Sequence, residues 1–246
     1  MRNWIPPVLL MLLALALLEI VSFLNWVPSF LLPPPHVLLS SFIELKADLL
    51  PAAWQSFYCA FIGFILSAFF GFFLALTLSM SAFLSQGLHP FVVFFQTVPI
   101  VAIAPLMVVW FGFGVPTTVA SSLIVSFFPV LANSLAGFNS CPKELLELFK
   151  IYKASKIKIL FYLKIPSAAP FYFASLKVSA GLAVVGTIVG EFVGGGGLGS
   201  LIDAAMRQQR ADIVFLCAIL ASGIGLFMIS VVGVFEQLMN KWRPLS

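Results

Sequence analysis

Charge is what this chain has least of. Lys, Arg, Asp and Glu make up 9% of its 246 residues, while 61% are hydrophobic and the mean hydropathy is +1.12. That apolar share exceeds an ordinary soluble domain's by roughly ten percentage points or more, so one water-soluble core does not account for it. Cysteine and histidine are nearly as scarce. Cys59, Cys141 and Cys217 form no C-x-x-C pair, and with only His36 and His89 beside them they make no metal-ligand cluster. A disulfide scaffold and a zinc site are therefore excluded, and no cofactor or metal is expected. The chain also lacks G-x-x-x-x-G-K-[ST]. Its glycine run GGGGLG at 194–199 is not followed by the Lys-Ser/Thr that a phosphate loop requires, so it reads as a tight turn and not as a nucleotide site.

What is present is long apolar runs. Spanning a bilayer takes about 20 such residues, and six spans fit, at 5–26, 56–78, 89–112, 117–137, 173–193 and 213–238. The start, MRNWIPPVLLMLLALALLEIVSFLNW, resembles a signal peptide. Its apolar run is too long for one, and no small-residue cleavage pattern follows, so it reads as a retained first span. Trp4, Trp26, Trp54, Trp110 and Trp242 fall near span ends, as an interfacial aromatic belt requires. The expected class is an all-α, polytopic membrane protein in which residues 1–246 form one domain.

The few charges are unevenly placed. Six of the 13 Lys and Arg residues lie in 143–166, KELLELFKIYKASKIKILFYLKIP. With both termini cytoplasmic, this stretch, Arg2, Lys241 and Arg243 are inside, and Lys46, Arg207 and Arg210 are outside. That is the positive-inside distribution. Orientation in lipid explains the net charge of +4, and nucleic acid is not an expected partner.

The basic stretch divides into two helical patterns. Leu145, Leu148, Phe149 and Tyr152 recur at i, i+3, i+4, i+7 as an apolar face, opposite Glu144, Glu147, Lys150 and Lys153. Lys153-Ala154-Ser155 interrupts, Ser155 caps a second helix, and Pro166 ends it. This is more structure than orientation requires, and the apolar face needs a cover. Between the first two spans, three prolines lead into VLLSSFIELKADLL, which reads as a separate amphipathic surface helix. Pro99 and Pro105 in the third span and Pro129 in the fourth predict broken, interior helices, because freed backbone groups survive in lipid only when covered.

At Glu147 the residues resemble a known signature. The cytoplasmic loop of binding-protein-dependent ABC importer permeases reads Glu-Ala-Ala, three residues, Gly, nine residues, Ile-x-Leu-Pro. Here Glu147, Leu148, Phe149, Lys153 and then Leu163, Lys164, Ile165 and Pro166 keep that spacing. LLPPPHVL, QTVPIVAIAPLMVVWFGFG, SFFPVLANSLAG and VVGTIVGEFVGGGGLGSLI extend the likeness along the chain. They resemble the subgroup that imports nitrate, sulfonates, taurine or the pyrimidine precursor of thiamine. The resemblance implies a type I importer permease in the bacterial inner membrane. It also implies a homodimer, two ATPase subunits docked on a coupling loop at about 138–172, and an external substrate-binding protein. Two departures stand out: Leu148 and Phe149 replace the alanines, and Lys153 replaces the glycine. If that glycine serves a left-handed turn, lysine there costs on the order of 1 kcal/mol.

Two carboxylates fall within spans, Glu19 and Glu191, and intramembrane charges often mark a pathway. Glu191, just before the glycine run, is read as a pathway or gate residue with Pro99, Pro105 and Pro129, and Glu19 as structural. A rival reading makes both carboxylates the carriers of a proton-coupled secondary transporter. An intramembrane hydrolase is disfavoured, since the spans hold no acidic pair and no histidine away from their ends. No arginine lies mid-membrane, which favours a neutral heterocycle, such as a thiamine-precursor pyrimidine or riboflavin, over an anion.

Overall fold

The computed structural model describes residues 5–24, 28 and 31–240. Trp4, Trp26, Trp242, Arg2, Lys241 and Arg243 lie outside these, as does the side chain of Lys150. The described residues form helices and turns and no strand. In order they are α1 (Ile5–Phe23), α2 (Pro35–Leu78), α3 (Ala82–Thr97), α4 (Ile100–Phe111), α5 (Val115–Asn139) and α6 (Lys143–Ile151). Then come α7 (Lys156–Ile159), a π-helical turn (Leu160–Lys164), α8 (Ile165–Gly194), α9 (Gly197–Arg207) and α10 (Ala211–Asn240). This is the expected all-α, polytopic membrane fold. Four helical stretches are long and apolar enough to cross a bilayer: Pro35–Leu78, Val115–Asn139, Lys156–Gly194 and Ala211–Met239. A fifth arises if Pro90–Thr97 and Ile100–Phe111, bent by 90°, are one broken span. The 19-residue α1 stands where the first span is expected.

α5 lies between α2 and α8 and forms the centre. Apolar burial does not distinguish inside from outside in lipid, so small residues and cross-helix hydrogen bonds set this packing. Side chains at Gly186 and Gly190 would collide with α5 backbone near Ser122 and Thr118. The resulting close approach lets the Ser122 hydroxyl donate to the Ala183 carbonyl (2.9 Å) and the Ser179 hydroxyl to the Ser126 carbonyl (2.8 Å). α10 packs on this core through α8, and Lys177 donates to Glu236 across that contact.

Several proline expectations are corrected. Pro99 does break the third span: the residue before a proline is pushed out of the α region, and Pro99 itself is extended at φ −64°, ψ 120°. Pro105 and Pro129 sit inside the continuous helices α4 and α5. A single lost hydrogen bond is affordable where helical neighbours are already fixed by packing. Pro166 does not end its helix either. In the π turn before it the Ile165 N–H donates to the Leu160 carbonyl, one residue further back than in an α-helix, and the chain passes the proline into α8. The expected surface helix at VLLSSFIELKADLL is the first part of α2, which runs unbroken for 44 residues through Pro51. The fourth span is interior as expected, whereas α3 and α4 are largely exposed on the chain's edge.

Candidate functional site

Two places bring the sequence-predicted residues together. The first is the glycine turn after α8. Glu191 is fully buried, and Ser56 of α2 lies 2.8 Å from both of its carboxylate oxygens. The Gly199 N–H donates to Oε2 at 3.0 Å, and the Leu198 N–H donates to Ser56 Oγ at 2.9 Å. α9 has no side-chain cap from its own N-cap residue, Gly196. Ser56 and Glu191, from two other helices, cap it instead by accepting N–H groups that its first turn leaves unpaired. The turn must be glycine for geometric reasons: Gly195, Gly196 and Gly197 have φ of +83°, +89° and +57°, and a Cβ at Gly197 would overlap the Glu191 carboxylate. The Gly194 carbonyl accepts from Gly114 N–H at 2.8 Å, which joins this turn to the one between α4 and α5. Two glycine motifs far apart in sequence thus meet in one knot. Gly114 and Gly197 lie in motifs that the sequence singled out, but Ser56 does not; the Gln55-Ser56 pair in an otherwise apolar run was the available signal.

A cavity of about 730 Å³ lies between the elbow of α3 and α4, α5 and α8. Val98 and Ile100 of the elbow line it, with Met107 and Trp110 of α4, Phe127, Phe128 and Pro129 of α5, and Leu182 and Val185 of α8. None of its lining residues is charged, and the Gln96 amide and the Trp110 indole are its polar side-chain groups. Phe95 and Phe128 stack nearly parallel, with centroids 5.5 Å apart. Of the residues expected to form a pathway, Pro129 reaches this wall; Pro99 and Pro105 flank it without lining it, and Glu191 is in the knot.

The second place is the segment 143–166. α6 half-buries Leu146 and Phe149 and leaves Leu145, Leu148, Ile151 and Tyr152 exposed, the last two at 77%. Most of the expected apolar face, Phe149 apart, is thus bare on this chain. Glu144 and Glu147 are also exposed. At the end of α6, Lys153 has φ +48°, and the Ala154 N–H donates to the Phe149 carbonyl at 3.0 Å. This is a helix C-terminal closure in which the left-handed position usually belongs to glycine. Ser155 caps α7, accepting from Lys158 N–H at 3.3 Å. Leu163 is buried, and Ile165 and Pro166 begin α8.

Glu19 is in neither place. Its carboxylate accepts from His36 Nδ1 at 2.6 Å, in an exposed contact that ties α1 to the start of α2.

The chain belongs to the family of binding-protein-dependent transport system inner membrane components, whose model matches residues 67–241. It is 34% identical over 243 residues to a riboflavin transport system permease protein of Chloroflexus aurantiacus, covering 96% of this chain and 89% of that protein. It is 30% identical over 244 residues to a formylaminopyrimidine transport permease protein of Halalkalibacterium halodurans, covering 97% and 96%. Its fold matches the MetNI methionine ABC transporter in an inward-facing conformation with a TM-score of 0.63 at 16% identity, over 78% of this chain and 97% of that one. The chain is thus the inner-membrane, multi-pass permease subunit of an ABC importer, a family that works with an ATPase and a substrate-binding protein. The proton-coupled reading is left without support.

Proposed function

We propose that residues 1–246 form one permease domain, that two copies enclose a central pathway, and that the segment 143–166 docks the ATPase on the cytoplasmic side with both termini. The chain performs no covalent chemistry. ATP hydrolysis by the separate subunit biases it between two conformations, so it acts as the two-state element of the cycle. Within the docking segment, Glu144, Glu147, Leu148, Phe149, Lys153, Ala154, Ser155, Leu163, Ile165 and Pro166 form or shape the contact. The bare Leu145, Leu148, Ile151 and Tyr152 support this reading, since such a patch calls for a partner. Glu191, with Pro99, Pro105 and Pro129 around the cavity, belongs to the pathway or its gate.

The solute is an uncharged, planar heterocycle of the riboflavin or aminopyrimidine type. One observation carries this: the cavity is lined by apolar and aromatic side chains with an amide and an indole N–H as its polar groups, and no charge. An anion moved into such a wall would lose its hydration with nothing to replace it, whereas a flat heterocycle can stack and hydrogen-bond. The relatives whose names specify riboflavin and formylaminopyrimidine support the same class.

The test is reconstitution of the chain with its ATPase and binding protein in vesicles, followed by uptake of riboflavin, an aminopyrimidine, nitrate and an alkyl sulfonate. Uptake of a heterocycle alone is expected. ATP-dependent uptake of nitrate or sulfonate would overturn the assignment of solute. Undiminished ATPase pull-down by a Glu147→Arg chain would overturn the assignment of the docking segment.

A further inference from the structure

The docking segment leaves α5 through Ser140 and the buried Cys141 and is held to the spans again at its far end. α6 makes no extensive contact with any spanning helix, and the chain re-enters the core only at the π turn, where Leu160 and Leu163 are buried. From that turn Lys164 reaches across 85 residues of sequence, and its ammonium donates to the Ser79 carbonyl at 2.6 Å. Ser79 is the C-cap of α2, where carbonyls lack helical partners. The Ala75, Thr77 and Leu78 carbonyls accept from the backbone N–H groups of Ser79, Met80 and Ser81, and the Leu76 carbonyl accepts from the Ser79 hydroxyl. Lys164 therefore completes the closure of this helix end, and it brings a positive charge to the negative end of the dipole.

The same helix carries Ser56, the residue that holds both Glu191 and the first turn of α9. Ser56 and Ser79 are separated by roughly 34 Å along α2 at 1.5 Å per residue. No break interrupts the helix between them. One continuous element thus has the docking segment tied to one end and the glycine knot tied near its middle. The tie to the docking segment is made from a π turn, a helical irregularity frequent at functional sites.

We infer that Lys164 is a positioning residue for transport: it locks the docking segment to α2, so that movement imposed by the ATPase is carried along α2 as a rod to the Ser56–Glu191 knot. The inference rests on the docking assignment of 143–166. Lys164 itself touches neither solute nor nucleotide in this role. Its effect should appear in the ratio of solute moved to ATP hydrolysed, which a role confined to stability would leave in place among the molecules that remain folded.

The experiment uses the full complex of permease, ATPase and binding protein in vesicles, with Lys164→Met and Lys164→Arg. Met keeps the stem and removes the donor; Arg keeps a charged donor. The Met complex is expected to assemble and to lose transport per ATP by at least about fivefold, within the range that coupling residues reach, while Arg restores most of it. Adding Ser56→Ala to Lys164→Met should then cost little more, because the connection is already cut. A Met complex that transports per ATP as wild type does would overturn the inference, as would Met and Arg variants impaired alike. If the Met chain fails to assemble, the Arg variant decides: a wild-type ratio supports the lock, and a fallen ratio overturns it. Failure of the docking assignment itself looks different, since the wild-type chain would then not retain the ATPase.

Discussion

Ser56 and Glu191 stand 135 positions apart and share one buried hydrogen-bonded knot, in which the serine hydroxyl faces the carboxylate and also receives the Leu198 N–H. Removing either side chain strands the other's partners. Ser56→Ala is expected to cost about 1–3 kcal/mol, read as a lowered midpoint of thermal unfolding in detergent. Glu191→Leu should fold and hold the ATPase yet lose or uncouple transport, with Glu191→Gln between the two. Equal transport by wild type, Gln and Leu chains at matched expression would make Glu191 a bystander.

Lys153 occupies a left-handed position that glycine fills without strain. Lys153→Gly is therefore expected to stabilise 143–159 by about 1 kcal/mol, seen as slower hydrogen exchange of the amides of α6 and α7. Lys153→Val should do the reverse, because branching at Cβ worsens the left-handed conformation. Identical exchange in all three chains would mean the turn relaxes freely.

Lys177 and Glu236 pair between α8 and α10. Removing one partner leaves a charge facing apolar helices, and each of Lys177→Met and Glu236→Leu should cost about 1.5–3 kcal/mol. The double variant should be less harmful than either single one, since no lone charge remains. Thermal unfolding of the four chains gives the comparison directly, and strictly additive losses would contradict it.

Orientation can be read by labelling. Cysteines introduced near Lys46 and Arg207 should react with an impermeant maleimide in intact cells, and one near Lys156 should react only after lysis. The native Cys59, Cys141 and Cys217 are buried and give little background. Labelling near Lys156 in intact cells would overturn the cytoplasmic assignment of the docking segment.

The sequence made some of this legible because certain residues act locally. The Ser155 cap and the break at Pro99 each follow from a residue's own backbone chemistry, whereas the left-handed turn at Lys153 was legible only through the glycine that the resembled signature places there. Pro105, Pro129 and Pro166 misled for the complementary reason. Whether a helix survives a proline depends on what packs around it or on a shift of hydrogen-bond register, and neither is written at the proline. The amphipathic pattern before the second span was real, but periodicity does not say where one helix stops and the next begins. The knot was half visible: Glu191 stands out as a charge in an apolar run, whereas Ser56 looks like any small residue until α2 is laid against α8 and α9. Lys164 was lost inside a motif whose spacing is defined by its neighbours.

The length of α2 also bears on the membrane itself. Its charges, Glu44, Lys46 and Asp48, all precede Leu49, and from there to Leu78 it carries none. That uncharged stretch measures roughly 45 Å at 1.5 Å per residue, against a hydrocarbon thickness of about 30 Å. The surplus lets this helix remain matched in bilayers of different thickness by changing its tilt, with no charge dragged into lipid. The 25-residue α5 packed beside it has far less to spare. Bilayer thickness should therefore alter the angle between these two helices, and lipid chain length becomes a variable that acts on the protein's interior without binding to it.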